Sequence, residues 1–330
     1  MRRREFITIL GGAATAPLLA PLAVRAQQAM PVIGVLSPSS VAALTAERAD
    51  VALQALKDNG FVEGQTVAFH ILTANGQLDR LPALAAELVR RRVALICTAS
   101  PPAIRAVKAA TSTIPIVFGM GEDPVKEGIV DSLNRPGGNV TGFTTFGNVL
   151  VPKRLELLHE LVPRPSVLGL LVNPNNPNAD PDTKDAQAAA AALGRELRVL
   201  KAGTERELAA AFDAAVEQRL GALLVGVDNL LFRDRRELIA ALASRHAVPA
   251  VYERRDFVVA GGLMSYGTDG ADNARQYGLY IARILKGAKP GDLPVLQASK
   301  FELVINLSAA KGLKLDVPTS ILLRASELIE

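Results

Sequence analysis

From Met30 onward, short runs of Val, Ile and Leu alternate with longer Ala-rich stretches whose apolar positions recur at helical spacing. Unbroken apolar runs of this length are what strands covered on both faces look like, and strands alternating with helices build parallel sheets through βαβ units. The pattern predicts strands over 32–36, 66–72, 94–98 and 114–118, separated by helices over about 42–59, 78–91 and 102–110. Asn59-Gly60 is a fitting helix stop, and Pro101-Pro102 suits a helix start, where a missing N–H loses no bond.

After Pro163 the same order begins again. Val167-Leu-Gly-Leu-Leu-Val172 answers Val32-Ile-Gly-Val-Leu36, 197–200 answers 67–72, and 221–228 answers 93–98. Val248-Pro-Ala-Val-Tyr252 answers Ile114-Pro-Ile-Val-Phe118, and the closing segment Gly262-Leu-Met-Ser-Tyr266 answers Asn139-Val-Thr-Gly-Phe143. The restart predicts an α/β chain of two Rossmann-like lobes with parallel sheets, rather than one sheet of double size. The tail breaks the rhythm with a helix over 272–286, a turn-rich link over 287–294 and a strand over 301–306 that completes a sheet. A tail returning to both lobes divides the chain into 30–145 plus about 267–297 and 146–266 plus about 298–330. Several hinge strands then join the lobes, with hinges near 144–148 and 265–267.

Composition changes this picture little until the first 26 residues are set apart. They carry Arg2, Arg3 and Arg4, an apolar run too short to span a bilayer comfortably, and Val24-Arg25-Ala26 before Gln27. That is the layout of a removable export signal, cleaved near Ala26/Gln27. Its start, Arg3-Arg4 followed by Glu5, Phe6 and Ile7, resembles the twin-arginine export signal, with an ordinary Sec signal as the alternative. The segment holds four arginines and one acid, so its removal takes the net charge from +4 to +1. A near-neutral mature chain without a basic block is a poor partner for nucleic acid. Cys97 is the only cysteine, which excludes an intramolecular disulfide, and its strand-like surroundings suit a small buried hydrophobe. No cysteine ends the signal, so a lipid anchor is not expected. His70, His159 and His246 are scattered without metal-ligand spacing.

In open parallel sheets ligands bind outside the carboxyl ends of the strands. The first repeat places Ser37, Ser39, Thr98 and Ser100 there, and Gly119-Met-Gly-Glu-Asp123 after its fourth strand. The second places Asn173, Asn175 and Asn176, then Asp228 and Asn229, then Tyr252 and Glu253. Ser, Asn and Asp at such points are equally favoured as helix caps and turn formers, so each has a purely local reading. The two roles are compatible, since a capped helix start exposes N–H groups that can hold a carboxylate. Asp228 and Glu253 stand out, because an acid after a buried strand is costly unless a cation or N–H donors meet it.

Several segments together resemble one family. They are Arg3-Arg-Glu-Phe-Ile, Ile33-Gly-Val-Leu, Thr98-Ala-Ser-Pro-Pro-Ala, Phe118-Gly-Met-Gly-Glu-Asp-Pro-Val, Asn134-Arg-Pro-Gly-Gly-Asn-Val-Thr-Gly, Phe301-Glu-Leu-Val-Ile-Asn-Leu and Ala309-Ala-Lys-Gly-Leu. In this order and over the whole mature chain they are similar to the ABC-transporter substrate-binding proteins related to the tryptophan-binding TrpX type. The resemblance implies a type I periplasmic-binding-protein fold, whose two lobes are joined by three crossovers and close on a small ligand. It further implies a monomer in the periplasm that hands the ligand to an inner-membrane ABC permease and needs no cofactor. Carried over, the cleft draws on Ser37, Thr98, Ser100 and Asp123 from one lobe and Asn173, Asn175, Asp228 and Glu253 from the other. Phe118, Phe146, Phe232, Tyr252 and Tyr266 are the aromatic residues available to it.

A zwitterionic amino acid suits such a set, with Thr98 and Ser100 at its carboxylate and Asp228 or Glu253 at its ammonium. A sugar or nucleoside could use the same side chains through hydroxyl groups. Catalysis is not expected, because no nucleophile elbow, phosphate-binding loop or dinucleotide fingerprint is present. A sensor module that reports its ligand to a receptor has the same fold and cleft, so fold alone does not separate the two.

Overall fold

The computed structural model describes residues 30–40, 49–162, 167–176, 179–228 and 231–330, and the backbone but not the side chain of Asn148. The segment expected to direct export, the start of the helix expected from residue 42, Pro163 and Asn229 lie outside the described residues.

In the first repeat the strands are β1 (Val32–Ser37), β2 (Ala68–Thr73), β3 (Leu95–Ala99), β4 (Ile116–Met120) and β5 (Val140–Thr144). Between them run α1 (Ala49–Asp58), α2 (Leu81–Arg90) and α3 (Pro101–Ala110). The second repeat opens with α4 (Val151–Leu161) and β6 (Val167–Val172), then α5 (Ala179–Ala192), β7 (Glu196–Lys201) and α6 (Glu205–Glu217). It continues through β8 (Ala222–Val225), α7 (Leu231–Asp234), α8 (Arg236–Arg245), β9 (Ala250–Tyr252), α9 (Arg255–Val259) and β10 (Met264–Thr268). The tail supplies α10 (Gly270–Leu285), β11 (Leu296–Gln297), β12 (Phe301–Asn306), α11 (Leu307–Gly312), α12 (Thr319–Leu322) and β13 (Glu327–Ile329).

Two sheets result, a six-stranded one ordered β11-β5-β4-β3-β1-β2 and a seven-stranded one ordered β13-β12-β10-β9-β8-β6-β7. All pairs are parallel except β10 with β12, which are antiparallel. The α/β architecture of two mostly parallel sheets is the one the repeat predicts. Each sheet is covered on both faces. In β6, Leu168, Leu170 and Val172 enter one core while Leu171 enters the other. In β1, Leu36 and Ile33 divide in the same way between two further cores. Period-two alternation between two apolar surfaces is why these strands read as unbroken apolar runs.

Local signals set the ends of the helices. Thr204 caps α6 by accepting from the Glu207 amide at 3.3 Å, and the Glu207 carboxylate returns to the Gly203 amide at 2.7 Å. Asp269 caps α10 by accepting from the amides of Ala271 and Asp272 at 2.9 and 3.1 Å. Although it follows β10 of the second sheet, α10 packs on the first, where Tyr280, Ile281 and Ile284 join Ile33, Leu56 and Val67. The chain therefore crosses between the sheets after β5, after β10 and between β11 and β12. Cys97 is buried in the same core, and burial pushes its thiol up to about 12. No helix among the described residues is long and apolar enough to cross a membrane.

Candidate functional site

The carboxyl ends of β1, β3 and β4 form one rim. The Ser37 hydroxyl accepts from the Ser39 amide at 3.1 Å and turns the chain off β1; both serines are buried. Thr98 donates from Oγ1 to the Leu36 carbonyl at 3.0 Å, tying β3 to the tip of β1. Ser100 differs from both. It precedes α3 with φ 71° and ψ 145°, a conformation that costs a non-glycine residue about 1–3 kcal/mol. Its hydroxyl is buried, makes no helix-cap bond and has no hydrogen-bond partner. The rim's acids fold back on their own turn: a Glu122 oxygen accepts from the Gly121 amide at 3.0 Å, and Asp123 Oδ1 from the Val125 amide at 2.9 Å.

The second rim joins the tips of β6, β8 and β9. Asn173 donates from Nδ2 to Asp228 Oδ2 at 2.8 Å and accepts from the Asn175 amide at 3.0 Å. Asp228 Oδ1 accepts from the Leu231 amide at 3.1 Å, so both oxygens of this buried carboxylate already have donors. Asn176 donates to the Val227 carbonyl at 2.7 Å. Glu253 is different again. Only partly buried by surface, its side chain makes no hydrogen bond or ion pair among the described residues. Loss of solvation pushes its carboxyl up to about 7, against the pull of Arg154 and Arg254.

Two charged residues beneath this rim were not singled out from the sequence. Arg154, in the first turn of α4, is 1 % exposed. It donates from Nε to the Tyr266 carbonyl at 2.7 Å and from Nη1 to the Gly147 carbonyl at 3.2 Å. Asp182, in the first turn of α5, is equally buried and accepts from the Val227 amide at 2.9 Å, while its Oδ1 has no partner. Burial raises its carboxyl to about 6, opposed by the Val227 bond and by Arg154. Glu122 of the opposite rim adds to that rise, so the field of one rim reaches the other. Val227 lies against both Gly121 and Gly147, within about van der Waals distance of where their side chains would begin.

A spacing signal was available for both. Arg154 falls three residues after buried Val151 and four before buried Leu158, and Asp182 three after buried Ala179 and four before buried Ala186. Each is a charge on the apolar face of its helix.

The structure brings Ser37, Ser39, Thr98, Ser100, Asp123, Asn173, Asn175, Asp228 and Glu253 to the strand ends. Tyr252 is placed elsewhere. As the last residue of β9 it shares the parity of Ala250, so its ring enters the core and stacks on Phe257, with centroids 4.9 Å apart. Its hydroxyl is buried without a partner, and burial drives its pKa upward. Phe118 and Phe232 are likewise core residues, whereas Phe146 and Tyr266 stand at the crossovers.

Two rims of hydroxyls, amides and acids, on which the Ser100 hydroxyl and the Glu253 carboxylate remain unengaged, make a candidate site for a small polar molecule. The profile of the ABC transporter substrate binding protein family matches residues 32–329. A tyrosine-binding protein of Clostridioides difficile is 27 % identical over 261 residues, 79 % of this chain and 74 % of that one. A conserved domain protein from Vibrio cholerae superposes with a TM-score of 0.80 at 29 % identity, covering 91 % of this chain and 99 % of the other. An ABC domain from Streptococcus pneumoniae, solved in complex with L-Trp, gives 0.76 at 25 % identity, covering 90 % and 100 %. The family and the relatives described with tyrosine and L-Trp are solute-binding proteins rather than enzymes, and the chain belongs to the ABC transporter substrate-binding protein family.

Proposed function

We propose that the protein is the periplasmic binding component of an ABC importer for an amino acid, and that it closes two lobes on the ligand and delivers it to the permease. The lobes are 30–145 with about 267–297, and 146–266 with about 298–330. The leader 1–26 directs export and is removed, and the mature protein acts as a monomer. In this reading Glu253 receives the ligand's ammonium group and Ser100, at the start of α3, its carboxylate. Ser37, Thr98, Asn173, Asn175 and Asp228 shape the rims, and Asp123 supports its turn.

The observation that carries the reading is the pair of unengaged polar groups on facing rims, the Ser100 hydroxyl and the Glu253 carboxylate. Each is costly to desolvate without a partner, and a zwitterion supplies a partner for both. Relatives described as binding tyrosine and L-Trp support an aromatic amino acid. Because the ligand touches both rims it binds the closed form more tightly and shifts the population toward it.

The test is denaturing mass spectrometry on natively purified protein, followed by titration with L-tyrosine and L-tryptophan. Release of an amino acid, or saturable binding of either probe, is the expected result. A released sugar or nucleoside, with neither amino acid bound, would overturn the ligand class.

A further inference from the structure

Arg154 bonds backbone rather than acid. Its guanidinium donates to the carbonyls of Gly147 and Tyr266, and it forms no ion pair among the described residues. Gly147 lies on the first crossover, directly after Phe146, which holds φ at 43°. Tyr266 lies on β10, where the chain leaves for the second crossover. One buried guanidinium thus spans two of the three connections. The third connection is tied to the other two by backbone pairing, Ala298 donating to Thr144 at 3.0 Å and Asp269 to Lys300 at 2.9 Å, and by an exposed pair between Lys300 Nζ and Asp272 at 3.0 Å.

A buried cation is expensive, and the chain balances this one at a distance. Glu253 at the tip of β9, Asp182 on α5 and the Tyr266 hydroxyl on β10 surround Arg154 and favour its charge. Around the two acids stand Arg254 and Asp256 from the loop after β9, Asp185 on α5 and Glu122 from the opposite rim. A planar fork with several donors is the side chain suited to holding two carbonyls at a fixed separation.

We propose that Arg154 is the positioning residue of lobe closure, a pin that holds the first and second crossovers together so that the lobes turn about its guanidinium. The proposal rests on the two-lobed binding-protein reading but concerns the hinge and not the ligand. The pin limits the opening to a hinge motion, because both connections must bend about the same point. It also couples the hinge to the acids of the second rim, whose charges it offsets.

The experiment is a distance measurement on the ligand-free chain by electron paramagnetic resonance. Spin labels are placed at Gln77→Cys and Arg206→Cys, both exposed beside strand tips of opposite sheets. Cys97 is buried and does not compete for label. Arg154→Lys keeps the charge but replaces the fork with a single ammonium, and Arg154→Gln removes the charge as well. The distance distribution is expected to widen about twofold in Arg154→Gln and less in Arg154→Lys. The pH midpoint of thermal stability should move upward in Arg154→Gln alone, because the acids then lose their cation. A wild-type distribution in either variant, shown folded by circular dichroism, overturns the proposal, including the case where only ligand affinity falls. If Arg154→Gln does not fold, Arg154→Lys decides by itself. Release of a sugar or nucleoside, with neither L-tyrosine nor L-tryptophan bound by the wild type, would sink the ligand reading and leave these distances unchanged.

Discussion

The two lobes share a strand order and differ in what they place at the strand ends. The first offers hydroxyls, from Ser37, Ser39, Thr98 and Ser100, and its acids Glu122 and Asp123 bond to their own turn. The second offers amides and charges: Asn173, Asn176, Asp228 and Glu253, with Arg154 and Asp182 beneath them. A duplicated scaffold therefore does not mean a duplicated site. In the proposed function the ligand's ammonium group therefore meets a charge on one lobe, and its carboxylate meets neutral donors on the other. Such a division suits closure, since the charged rim can hold the ligand before the neutral rim arrives.

The largest effect expected from breaking this comparison comes at two glycines. A side chain at Gly142 would begin 2.0 Å from the Phe118 carbonyl oxygen, and one at Gly267 1.9 Å from that of Glu253. Neither oxygen is a flexible side-chain end, so Gly142→Ala and Gly267→Ala should each cost roughly 3 kcal/mol or more, read as a fall in Tm of about 5 °C or more. Gly267→Ala should also weaken ligand binding by displacing Glu253, whereas Gly142→Ala disturbs only the lobe of hydroxyls. Equal affinities in the two variants would deny the charged rim its special role.

Next come the acids. Glu253→Gln should lower affinity for the amino acid at least tenfold, the scale of a lost charge-assisted bond, without loss of thermal stability. Asp228→Ala should also lower affinity tenfold or more, but with a fall in Tm, because Asn173 and the Leu231 amide lose their acceptor. Ser37→Ala should change affinity by less than about threefold, since its hydroxyl serves a turn. Calorimetric titration and thermal melts on the same samples separate the three. Loss of affinity in Asp228→Ala alone would move the ammonium site away from Glu253.

The charged rim also carries a pH signature. Glu253 titrates near 7 in the folded protein against 4.5 for a free carboxyl, and Asp182 near 6 against 3.8. Both shifts are upward, so the folded chain holds protons that the unfolded chain has already released. Their contribution to stability is complete below about pH 4 and is lost as the pH rises through 6 and 7. Melting temperature should therefore fall between about pH 4 and pH 7 and level off above, and the slope should flatten in Glu253→Gln and in Asp182→Asn. An unchanged slope in both variants would show that other groups set it.

How much of this was legible in the sequence follows from the same contrast. The strands were legible because each is sandwiched between two cores, and the repeat because both halves obey that constraint. Strand ends were legible only to within two residues; β4 runs Ile116–Met120 where the apolar run predicts 114–118. That Ser100, Asn173, Asp228 and Glu253 stand at strand ends was legible because they follow apolar runs closely. Arg154 and Asp182 could not be found by that rule, since they rise from helix starts beneath the tips. A charge at such a position reads as solvated until the buried spacing around it is counted. Tyr252 misled for the opposite reason. It ends a strand, but its side of the strand belongs to the core.

The smallest effect is the sharpest, because it predicts opposite signs for stability and affinity. Ser100 holds φ at 71° with its hydroxyl unpartnered, an arrangement that strains the chain without any side-chain bond in return. Glycine adopts this conformation freely, so Ser100→Gly should stabilise the protein by up to about 1 kcal/mol, part of the relief being offset by the freer unfolded chain. The same change removes the donor meant for the ligand, and affinity should fall about two- to tenfold. Ser100→Ala should show the same loss of affinity with no gain in Tm, because alanine keeps the strain. Should Ser100→Gly lose both stability and affinity, the serine would be an ordinary turn residue. Should it gain stability and keep its affinity, the neutral rim would hold the ligand through backbone amides alone.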